Sequence, residues 1–74
     1  MNLLDTFATN LKNYRIQAGY SQEKLAELSG LHRTYISSVE RGCRNISIES
    51  IDKISTALNI DAYLLFISSD KEDK

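Results

Sequence analysis

The chain has 74 residues, 42% apolar and 26% charged, which gives one globular domain of modest core and excludes disordered or collagen-like architectures. One cysteine and one histidine leave no intrachain disulfide and no Cys/His zinc site, and no apolar run approaches the ~20 residues of a membrane span. The net charge of −1 hides a polarity: residues 12–44 sum to +3 and the remainder to −4, a basic middle between acidic flanks.

No signal peptide opens the chain, so a reduced, cytoplasmic protein without a membrane partner, metal or cofactor is expected. From the N-terminus, Leu4, Phe7, Ala8, Leu11 and then Tyr14 or Arg15 follow the 3.6-residue period of a helix that Gly19 closes. Ser21 can cap a second helix with Leu25, Ala26 and Leu28 inward and Gly30 at its end. A third runs from about Arg33 to Arg41, with Tyr35 or Ile36 and Val39 inward, and Gly42 stops it. Ser47 caps a fourth, whose stripe is Ile48, Ile51, Ile54 and Leu58, and Asp61 caps a short fifth. The pairs Tyr20/Leu25, Ile46/Ile51 and Ile60/Leu65 flank these last caps at hydrophobic-staple spacing. No alternating strand pattern competes, so an all-α domain of five helices is predicted. Residues 69–74 form a charged stretch expected to be disordered.

The stretch Gln22–Gly42, QEKLAELSGLHRTYISSVERG, has the spacing of a helix-turn-helix. Ala26 is small enough for a crossing helix to approach. Gly30 stands where a short turn demands positive φ. Ile36 and Val39 anchor the second helix and leave Arg33, Thr34, Ser37 and Ser38 outward. A helix pair of this kind lays its second helix in the DNA major groove.

On these residues the chain resembles the Cro/lambda-repressor (XRE) family of bacterial regulators, from about Phe7 to Leu65. The segment RTYISSVERGCRNISIESIDKISTALNI is most similar to the controller proteins of restriction–modification systems, small dimeric regulators that bind palindromic operators. The resemblance implies a five-helix lambda-repressor-like fold and double-stranded DNA as partner. Arg33 and Thr34 match its base-reading positions, with Ser37 facing the same way. Gln22 would donate to a phosphate, Tyr35 would touch the backbone or a thymine methyl, Ser38 would face the backbone, and Arg41, Arg44 and Asn45 would run beside the sugar-phosphate chain. Arg15 and Glu40 match a structural ion pair joining the first helix to the end of the third. His32 departs from the family, which places Ser or Asp at this cap; imidazole caps poorly, so either the cap is forfeited or His32 itself reads DNA.

Tyr63, Leu64, Leu65, Phe66 and Ile67 are consecutive apolar residues on a short helix and point all round its axis. One small domain covers a single side, so a homodimer interface is expected here. Residues 1–68 thus read as one DNA-binding and dimerisation domain, with contact to RNA polymerase if the protein activates. A phage-type repressor, or an antitoxin or anti-repressor using the same fold on a protein partner, is the competing reading; the polar face of the third helix favours DNA. Nothing in the sequence carries an enzyme's nucleophile, carboxylate pair or phosphate loop.

Overall fold

Local hydrogen bonds set each helix of the computed structural model, which describes residues 2–68; the charged stretch 69–74 lies outside them. Helix α1 (Leu3–Gln17) starts on Asn2, whose side chain accepts from the backbone N–H groups of Leu4 and Asp5. Ser21 and Ser47 cap α2 (Gln22–Ser29) and α4 (Ile48–Leu58) in the same manner, accepting from Lys24 N–H and Ser50 N–H. Helix α3 (Arg33–Glu40) has His32 at its N-cap and no side-chain capping bond. Three helices close alike: Tyr20, Cys43 and Ile60 donate back to the carbonyls of Arg15, Ser38 and Ser55, each across a left-handed residue. At the third of these ends that residue is Asn59, φ 58°, where the sequence offers no glycine.

The fifth helix is a single 3-10 turn, Ala62–Phe66, and Asp61 makes no side-chain capping bond to it. The architecture is therefore four α-helices and a 3-10 turn rather than five α-helices. Five residues give too few i→i−4 bonds to offset helix nucleation, so the tighter turn is used.

The core joins Phe7 and Leu11 of α1, Leu25 and Ala26 of α2, Ile36 and Val39 of α3, Ile51, Ile54 and Leu58 of α4, and Leu65. Between the alternatives on α3, Ile36 is buried and Tyr35 packs half-exposed at the edge. Two expected core positions face water instead: Leu28, 45% exposed, and Ile48, 81% exposed. Leu28 lies on the outer margin of the α2 stripe, and Ile48 stands at the rim of a groove that α1 and the 3-10 turn line without covering it. Leu65 differs in the opposite sense. It is fully buried within the single chain and so is a core residue, not part of a dimer face. Phe66 tilts against Phe7 with ring centroids 5.2 Å apart, and the Asn10 side-chain amide donates to the carbonyls of Leu65 and Ile67, both at 2.9 Å. These contacts fasten the chain end to α1. No helix among the described residues is long and apolar enough to cross a membrane.

Candidate nucleic-acid interface

Helices α2 and α3 meet across Ser29–His32. Gly30 adopts φ +77° with open space where a Cβ would stand, so the backbone angle rather than crowding selects glycine. The turn sends α3 away with Ile36 and Val39 fully buried, which orients every other position of that helix. His32, Arg33 and Thr34 are exposed at its start, and Tyr35, Ser37 and Ser38 are half-buried along its flank. An open cleft of about 500 Å³ runs beside this start, between Thr34 and Tyr35 on one wall and Arg44, Ser47 and Ser50 on the other.

Two cations beyond α3 are held rather than free. The Arg44 guanidinium lies over the Tyr35 ring, 5.1 Å from its centroid, a cation–π contact that limits where it swings. Arg41 donates from Nη1 to the Ser37 hydroxyl at 2.7 Å, so that hydroxyl faces an arginine as well as solvent. Asn45 is exposed in the same loop.

Behind this face sits a polar cluster. Arg15 Nε and Nη2 donate to the two carboxylate oxygens of Glu40 at 2.6 and 3.0 Å, and its Nη1 donates to the Tyr20 carbonyl at 2.8 Å. The side chains are 11% and 4% exposed, so this is a buried bidentate pair between α1 and the end of α3. Gln22 joins it: Nε2 donates to Glu40 Oε1 at 3.1 Å, while its Oε1 accepts from Arg33 Nη1 at 3.4 Å. The link from Gln22 to Glu40 and Arg33 has no signal in the sequence, because these residues stand 18 and 11 positions apart. The same holds for Arg44 on Tyr35.

A polar helix start carrying Arg33, with Arg41 and Arg44 just past the helix end, mounted on a helix-turn-helix defines a DNA-binding transcriptional regulator, and the chain belongs to the helix-turn-helix family, which matches residues 11–65. Its relatives fall in the same class. It is 48% identical over 59 residues to the control protein C.SmaI of Serratia marcescens, covering 80% of this chain and 70% of that one. It is 42% identical over 66 residues to a hypothetical transcription factor of Neisseria meningitidis serogroup B, covering 89% of this chain and 62% of that protein's length. Among solved structures, the restriction–modification controller protein C.AhdI from Aeromonas hydrophila superposes with a TM-score of 0.83 at 49% identity, covering 85% of this chain and 96% of that one.

Proposed function

We propose that this protein is a restriction–modification controller: a cytoplasmic homodimer, not an enzyme, that binds a palindromic operator with α3 of each subunit in the major groove. The observation that carries the reading is the division of labour around α3. Arg33, Thr34 and His32 stand exposed at its start, where base edges are met, while Arg41 and Arg44 are braced on Ser37 and Tyr35 beside it. Side chains at the helix start can enter the groove and meet base edges; cations beyond the helix end run beside the backbone, whose phosphates do not vary with sequence. Arg41, Arg44, Asn45, Ser38 and Tyr35 are assigned to the backbone, and Ser37 to holding Arg41.

A second copy would cover the apolar groove between α1, α4 and the 3-10 turn. Leu3, Ile48 and Tyr63 are among the chain's most exposed large apolar residues; Leu3 and Ile48 rim a groove floored by Phe7, Ile51 and Phe66, and Tyr63 stands on the same 3-10 turn as Phe66. With Leu65 in the core, the interface is assigned to Tyr63, Leu64, Phe66 and Ile67 together with Leu3 and Ile48. A protruding apolar residue next to an apolar groove on one chain is the condition for a self-complementary twofold contact.

Selection from a pool of random duplexes tests the reading. Enriched sequences should carry two inverted half-sites about one helical turn, ~10 bp, apart. Enrichment of no common sequence would overturn it.

A further inference from the structure

We propose that His32 binds DNA in its protonated form, so that each subunit takes up a proton on binding and the complex tightens as the pH falls. The inference rests on the DNA-binding reading and deepens it. His32 occupies the N-cap of α3 and makes no capping bond. Its side chain is exposed beside Arg33 and Thr34, and among the described residues no hydrogen bond or ion pair engages the ring. A side chain serves as an N-cap by accepting a backbone N–H, which a ring nitrogen that carries a proton cannot do. Released from that role, the imidazole can donate from both nitrogens once it is charged.

The surroundings of the ring hold no anion of the protein's own. His32 lines the open cleft beside α3, with Thr34 and Tyr35 of the same helix, Arg44 of the following loop, and Ser47 and Ser50 at the start of α4. Helix α2 meets this cleft only through Gly30 and the adjoining Leu31. Of the carboxylates on the packed helices, Glu40 is bonded to Arg15, while Glu27 and Glu49 stand 3.9 Å from Lys24 and Lys53. None of these, nor Glu23 or Asp52, lines the cleft. A charged imidazole therefore lacks a carboxylate partner until DNA arrives with phosphates and purine acceptors. In the complex alone, the proton gains a charge-assisted hydrogen bond and a favourable field. A charge favoured only in the complex is taken up on binding, so affinity rises towards acid pH and the gain is lost where the ring is neutral in both states. Imidazole is the side chain that ordinarily changes charge between pH 5 and 8, and the chain has one histidine, which gives the effect a single source.

The test measures binding of the wild type and of His32→Gln to the duplex that the wild type enriches from a random pool, and to a scrambled duplex of equal composition. Both are titrated at pH 5.5 and pH 7.5 across a salt series. Glutamine keeps a donor and an acceptor and does not titrate. The wild type should bind the selected duplex roughly tenfold more tightly at the lower pH, the scale of one hydrogen bond to a charged group. Its log–log salt slope should be steeper there by ~0.9 for each added cation. His32→Gln should lose both differences. A pH effect confined to the selected duplex places the acceptor on a base edge, and an equal effect on both duplexes places it on a phosphate. Nuclear magnetic resonance of the single imidazole should show a more protonated ring in the complex than in the free protein at the same pH. Equal wild-type affinities at the two pH values, or the same pH effect in His32→Gln, would overturn the proposal. So would an imidazole resonance that the duplex does not move towards its acid position. If the wild type enriches no duplex, the DNA-binding reading fails and this one with it.

Discussion

Arg33 and Arg44 carry the same charge and are held in different ways. Arg33 is tethered at one corner on the open start of α3, whereas Arg44 is stacked on Tyr35 beyond the helix end. Arg33→Ala should weaken the selected duplex far more than a scrambled one, by ~1–3 kcal/mol of discrimination, and relax preference at one base pair per half-site. Arg44→Ala should weaken both alike and make the log–log salt slope shallower by ~0.9 for each phosphate it no longer neutralises. Binding to both duplexes across a salt series measures the two effects together. An unchanged specificity ratio in Arg33→Ala would hand the reading role to Thr34 or His32. At Arg15 the consequence is stability. Deleting one partner of a buried pair leaves the other charge without compensation, at about 3–5 kcal/mol. Total stabilities run only about 5–15 kcal/mol, so Arg15→Ala should be largely unfolded by thermal denaturation, with DNA binding abolished in parallel. A wild-type unfolding midpoint would show that the pair contributes as little as a surface one.

Among the four α-helices, α3 is the exception in its capping. Ser21 and Ser47 each satisfy one backbone donor of the helix they open, while His32 satisfies none for α3. A helix anchored by buried Ile36 and Val39, and at its end by the Glu40 pair with Arg15, tolerates that deficit because tertiary packing, more than capping, stabilises short helices. Replacing the residue should restore what is missing. His32→Ser places a hydroxyl where the backbone is already extended, φ −73° and ψ 145°. It should add about 1 kcal/mol of stability, raising the unfolding midpoint by about 4–8 °C for a domain of this size. Thermal unfolding checks this, and no rise would mean that the first turn of α3 is not free to accept a cap. The same variant reports on recognition: a lower specificity ratio in a more stable protein would place the imidazole in the groove.

Over the whole molecule, two surfaces of different chemistry stand out. Cations and hydroxyls gather around α3, and exposed apolar side chains gather where α4, the N-terminal turn of α1 and the 3-10 turn come together. Substitutions on the 3-10 turn should separate folding from association. Leu65→Asp buries a charge in the monomer's own core and should unfold the chain. Tyr63→Asp alters a side chain that is 63% exposed and should leave a folded monomer that binds the selected duplex much more weakly. Sedimentation of both variants beside the wild type distinguishes them. A wild-type chain that sediments as a monomer at micromolar concentration would remove the basis for the dimer.

Helix starts, the helix-turn-helix spacing and the polar face of α3 are legible in the order of residues, because caps, left-handed turns and the 3.6-residue period act within a few positions of the chain. Ser21, Gly30, Ile36 and Ser47 each do locally what their residue type suggests. The Arg15–Glu40 pairing comes from family resemblance, since spacing alone does not join residues on two helices. What lies beyond the sequence is the coverage of each surface. A period identifies the residues that share a stripe, but it does not show that Leu28 and Ile48 are left uncovered at the margins of theirs. Leu65, which its apolar run assigns to an interface, is buried because Asn10 and Phe7 draw the chain end onto α1. The link from Gln22 to Glu40 and Arg33 likewise exists only in the folded chain, where the starts of α2 and α3 and the end of α3 meet.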